Sequence, residues 1–74
     1  MEDRIKAVVS AVLNISIDDI NNDSSPDTIE SWDSLKHMNL IVALEEEFEI
    51  IFDEEDFEVM LNFQLISLTI REKI

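Results

Sequence analysis

Across residues 34–48 the apolar side chains Leu35, Met38, Ile41, Val42 and Phe48 recur at intervals close to a helical turn, with Leu40 and Leu44 flanking them. That period predicts an amphipathic helix from about Ser34 to Phe48. It constrains the chain more than any other feature, because 74 residues give room for a single core and this is the clearest element available to build it. Two other segments carry the same period. Ile5, Val8, Val9, Val12 and Leu13 share a face between Asp3 and Asn14, and Ile66, Ile70 and Ile74 recur every fourth residue beyond Asn62, a residue that can cap a helix start, with Leu65 and Leu68 beside them. Between these, Asp53-Glu54-Glu55-Asp56 gathers acids where a helix dipole favours them, ahead of Phe57, Met60 and Leu61, and predicts a short third helix. The expected fold class is all-α, with one domain spanning residues 1–74.

The connection between the first two helices reads as a long, pinned loop. Leu13, Ile15 and Ile17 alternate as a strand would, but no second strand pattern exists to receive them, so a buried extended turn is expected. Asp18 to Asp33 is mostly Asp, Asn, Ser and Thr around the only proline, Pro26, with Ile20, Ile29 and Trp32 as anchors. Asp33 or Ser34 can cap the second helix, and either choice puts the Ser34 hydroxyl at the positive end of its dipole. Within the loop, Asp19, Asn21, Asp23, Ser25, Asp27 and Glu30 follow the spacing of a helix-loop-helix calcium site. Ser24 stands where that motif needs glycine, and no second loop is there to pair with, so no metal site is assigned.

Composition removes whole classes of function. The chain has no glycine, no cysteine and one histidine, which excludes phosphate-cradling glycine loops, disulfides, thiol chemistry and paired-histidine metal centres. Its longest apolar run, Leu40 to Leu44, is far short of a membrane span, and Met1-Glu2-Asp3 is the opposite of a secretion signal, so a cytoplasmic domain with no membrane insertion is expected. Eighteen acids against five Lys and Arg leave a net charge of −13, and Lys36 is the only Lys or Arg between Ala7 and Ile70. Such a field repels nucleic acid and favours proteins with basic patches. Ser34, His37 and Asp33 have the residue types of a hydrolytic site, but no third group is expected behind the imidazole and a glycine-free chain offers no oxyanion loop. His37 is expected as a solvated surface residue, and Glu45-Glu46-Glu47 as the wet side of the second helix.

Trp32-Asp33-Ser34-Leu35, leading into Leu40-Ile41-Val42-Ala43-Leu44-Glu45-Glu46-Glu47-Phe48, closely resembles the second helix of acyl carrier proteins. Length, acidity, the long first loop and the short third helix extend the resemblance to the whole chain. It implies a small four-helix bundle, a monomer that is a carrier and no enzyme. It also implies that Ser34 carries 4′-phosphopantetheine through a phosphodiester, flanked by Asp33 and Leu35, with acyl groups held as thioesters on the arm. The implied partners are a phosphopantetheinyl transferase, an acyl- or aminoacyl-loading ligase, and downstream transferases and synthases with basic docking patches. In the family such patches meet carboxylates of the second helix, which map here onto Asp33, Glu45 and Glu46.

This chain departs from the fatty-acid type at Lys36, His37 and Asn39, and at Trp32, where a small residue is usual. With Lys36, His37, Asn39, Glu45 and Glu46 as the partner-facing set, the expectation is a stand-alone carrier for a specialised pathway, of polyketide-like, nonribosomal-peptide-like or surface-glycan kind. An aminoacyl or peptidyl carrier using the same Ser34, and a non-carrier acidic interaction or calcium-binding domain, are the alternatives.

Overall fold

The computed structural model describes residues 2–74 and contains four α-helices in the order α1 (Glu2–Leu13), α2 (Ser34–Phe48), α3 (Glu54–Val59) and α4 (Phe63–Lys73). Met1 of the acidic start lies outside the described residues. Each start predicted from a polar residue is capped. Asp33 caps α2 by accepting the Lys36 amide at 2.8 Å, which settles the choice between Asp33 and Ser34, and Asn62 caps α4 through the Leu65 amide at 2.8 Å. In α3, Asp53 and Asp56 cap reciprocally, each side chain accepting the other's amide. A helix of six residues needs such help, because its own hydrogen bonds barely offset the cost of nucleation.

The ends of α1 and α2 are built alike. Asn14 and Glu49 take left-handed torsions, with φ of 57° and 55°. The next residues then donate back into the last turn, Ile15 to the Ser10 carbonyl at 3.2 Å and Ile50 to the Glu45 carbonyl at 3.1 Å. Ile15 and Ile50 pack against the core, so each stop also turns an apolar side chain inward. The stretch after Ile15 is not the buried extended turn expected. Ile17–Asp19 forms a single 3-10 turn capped by Ser16, and Ile17 faces solvent.

Ile5, Val9 and Leu13 of α1 meet Leu40, Ile41, Leu44 and Phe48 of α2, and Phe63, Ile66 and Ile70 of α4 complete the core. This rotates α2 relative to the face expected from its periodicity. Leu40 and Leu44 are fully buried, whereas Leu35, Met38 and Val42 are 70%, 54% and 50% exposed. The helix carries two apolar stripes, and only the one containing Leu40 and Leu44 turns inward. Ile74 and Leu68 of the last segment also face out, while Met60 is buried just past the end of α3.

The loop is pinned as expected by Ile20 and Trp32, with Ile29 partly buried. It also does something the sequence did not announce. The carbonyls of Ser24 and Asn22 accept the amides of Phe63 and Gln64 at 2.8 and 3.2 Å, satisfying donors at the start of α4 that the helix itself leaves open. Ion pairs then tie the helices in three combinations: Arg4 to Glu47 across α1 and α2, Arg71 to Glu2 across α4 and α1, and Lys73 to Asp56 across α4 and α3.

Candidate functional site at the head of α2

Ser34 is the first residue of α2 and is exposed. Asp33 before it has extended torsions, φ −98° and ψ −176°, so the chain reaches the helix from outside and presents the serine at its rim. Oδ1 of Asp33 accepts the Lys36 amide, and its backbone carbonyl accepts the His37 amide at 2.8 Å. The Ser34 and Leu35 amides belong to the first turn, whose donors have no intrahelical acceptor. An anion attached to the Ser34 oxygen therefore meets open amides and the positive end of a fifteen-residue helix.

Beside Ser34 opens a groove of about 580 Å³. One wall is α2, through Ser34, His37 and Met38. The other is Phe57, Met60 and Leu61 at and after α3, and Pro26, Trp32 and Asp33 of the loop complete the lining. Its lining is largely apolar, so a flexible arm leaving Ser34 has room and a surface to lie on. An exposed hydroxyl at a helix N-terminus, beside such a groove, fits a phosphodiester-linked pantetheine chain.

His37 is not the solvated residue expected. It is half-buried, and its Nδ1 accepts the indole Nε1–H of Trp32 at 2.9 Å, with the two rings stacked 6.0 Å apart. Burial holds its pKa below the ordinary 6.5. Trp32, only 1% exposed, thus serves both as a core plug and as a group behind the imidazole. With Nδ1 committed to the indole and the Asp33 carboxylate to a backbone amide, the trio Ser34, His37 and Asp33 is not wired as a nucleophile with its base.

The remaining candidate residues divide by position. Leu35 and Asn39 lie exposed on α2, Lys36 is half-buried and makes no ion pair among the described residues, and Glu46 is exposed. Glu45 is not simply the wet side of the helix: its Oε2 accepts the Phe52 amide at 2.8 Å and holds the strap from α2 to α3. Glu47 is likewise engaged, by Arg4, whose guanidinium also lies 4.6 Å from the centre of the Phe48 ring. In the loop, oxygens of the calcium-like spacing serve local turns, Asn21 accepting the Asp23 amide and Ser25 that of Asp27. Among the described residues no three acidic or histidine side chains come together as a metal centre.

Residues 3–63 match the family described as phosphopantetheine attachment site. The chain is 41% identical over 64 residues to an acyl carrier protein of Buchnera aphidicola subsp. Schizaphis graminum (strain Sg), which covers 86% of this chain and 81% of that protein. Its fold is similar to the solution structure of a holo acyl carrier protein from Geobacter metallireducens, with a TM-score of 0.88 and 28% identity over 97% of this chain and 83% of the other. The chain therefore belongs to the acyl carrier protein family: it is a carrier and not an enzyme, its cofactor is covalently attached 4′-phosphopantetheine, and its partners are a phosphopantetheinyl transferase and biosynthetic enzymes.

Proposed function

We propose that Ser34 is the attachment residue and that the chain is a stand-alone carrier of acyl intermediates for a specialised biosynthetic pathway in the cytoplasm. The observation that carries the attachment is the exposed Ser34 hydroxyl at the N-terminus of α2, on the lip of an apolar groove. When bound, the arm supplies a terminal thiol that holds the cargo as a thioester. The protein's own part is to seat the phosphodiester at open amides and to present a face that enzymes can read.

That face is the exposed side of α2. Lys36, Asn39 and Glu46 line it as partner-reading residues, with Glu45 able to offer only the oxygen not engaged by Phe52 and His37 set apart in the groove beside Ser34. An ammonium at Lys36 and an amide at Asn39 stand where fatty-acid carriers often have acids, and this supports the specialised pathway. Docking through few solvated charges is weak and salt-sensitive, which suits a shuttle that must leave each enzyme.

Incubation with coenzyme A and a broad-specificity phosphopantetheinyl transferase tests the attachment. One phosphopantetheine mass is expected on the wild type and none on Ser34→Ala. A wild type that stays unmodified with several transferases, or a labelled alanine variant, overturns it. Loading of the holo form by an acyl ligase in preference to an adenylating amino-acid ligase separates the acyl from the aminoacyl reading.

A further inference from the structure

The Trp32–His37 pair fixes more than packing. Indole Nε1–H can only donate, so Nδ1 of His37 can only accept, and the neutral ring must carry its proton on Nε2. His37 lines the groove beside Ser34, and Nε2–H is the polar group it has left for a ligand. Residues three apart on a helix are neighbours, and helical side chains lean towards the N-terminus, over the preceding turn. The bond to Trp32, which lies before the helix begins, shows that His37 leans this way, over the turn that Ser34 opens.

We propose that His37 is a positioning residue which donates from Nε2 to the phosphodiester carried by Ser34, with Trp32 holding the ring in the tautomer that makes this possible. The inference rests on Ser34 as the attachment residue. It gives the anion a side-chain donor in addition to the open amides of α2. It also gives a reason for a tryptophan at the end of the loop: a ring that only donates leaves the imidazole no alternative tautomer. Phenylalanine there would fill similar space but leave the imidazole free to place its proton on either nitrogen.

Nitrogen NMR of the imidazole and phosphorus NMR of the full-length protein test the proposal at mildly alkaline pH, before and after modification confirmed by mass. In the wild type the Nε2–H tautomer is expected in both states, with the Nε2 resonance moving on attachment and Nδ1, held by the indole, staying in place. The phosphorus resonance of holo His37→Leu should be displaced from that of the wild type. His37→Gln, whose amide can donate, should return it towards the wild-type position. A fully modified protein whose Nε2 resonance does not move, with the same phosphorus resonance in wild type and His37→Leu, overturns the role of His37 and leaves the attachment standing. Absence of added mass on Ser34 overturns both. The nitrogen measurement needs no variant, so a His37→Leu chain that fails to fold does not remove the test.

Discussion

Oε2 of Glu45 accepts the backbone amide of Phe52 at 2.8 Å, joining the last turn of α2 to the strap that leads into α3. Phe52 is buried and its amide partly so, so that amide requires a partner. Glu45→Ala should cost about 1 kcal/mol, a loss typical of one charge-assisted bond in a partly wet setting. For a domain of this size that lowers the melting temperature by several degrees. Glu46→Ala, which removes an exposed carboxylate, should leave stability nearly unchanged. Thermal melts of the two variants decide the matter, and equal melting temperatures would show that the Phe52 amide finds water instead.

The His37 imidazole titrates below 6.5 in the folded chain because burial opposes its charge. Between that lowered value and 6.5 the unfolded chain binds more protons, so stability should rise with pH through this window and be complete above it. Protonation also turns Nδ1 into a donor facing the Trp32 indole, which then has no acceptor. Urea unfolding as a function of pH should show a loss on acidification that is absent in His37→Asn, whose side-chain oxygen can still accept the indole proton.

Asp56 responds at lower pH. Its hydrogen bond to Lys73 Nζ, at 2.7 Å, and its capping bonds with Asp53 hold its pKa below the ordinary 3.8. A carboxylate with a depressed folded pKa contributes stability above its unfolded value and loses it as pH falls through the folded one. The stability difference between wild type and Asp56→Asn should therefore be constant near neutrality and shrink below 3.8. A difference that persists at strongly acid pH would assign it to packing.

Lys36 stands two residues after Ser34, close to any docked enzyme. The partner-reading role proposed for it is to repel a basic patch built for acidic carriers. Lys36→Asp should improve use by fatty-acid synthase enzymes and weaken use by the cognate ones. At this half-buried but still solvent-reached site the effect is expected at about 1 kcal/mol, several-fold in kcat/KM, and strongest at low salt. Equal kinetics with both enzyme sets at low ionic strength would make Lys36 a bystander.

With a net charge of −13 and, among the described residues, three ion pairs at partly or largely solvated positions, self-repulsion should outweigh what those pairs recover. Moderate salt at neutral pH should raise the melting temperature. A flat or falling dependence would mean that the pairs, which salt weakens, dominate.

The helices and their starts were legible in the sequence because each is encoded locally: Asp33, Asp53 and Asn62 cap the segments they precede, and the periodic residues of α1 are largely those buried. The place of Ser34 at the head of α2 was equally legible, through Asp33 before it. The rotation of α2 was not. Its apolar residues form two stripes, and only packing against α1 and α4 decides that Leu40 and Leu44 go in while Leu35 and Val42 stay out. Contacts that leave a helix were also invisible, since Trp32 to His37, Glu45 to Phe52 and Ser24 to Phe63 each join a helical residue to one outside that helix. His37 was misread for this reason: its partner lies upstream of the helix whose surface it appeared to share with solvent.

The left-handed residues at the exits of α1 and α2 have a mechanical consequence. A side chain at such a position costs about 1 kcal/mol relative to a relaxed backbone. Using a residue other than glycine also narrows the unfolded ensemble, which returns about 0.4–1 kcal/mol. Asn tolerates this conformation and Glu does not, so Asn14 comes nearer to even in stability, while Glu49 keeps a net cost relative to glycine. A glycine hinge would let α2 swing against the strap that follows it. Here the exit has no such hinge: Glu49 is restricted in its torsions, and the backbone bond from Ile50 to Glu45 ties the bend to the last turn of α2.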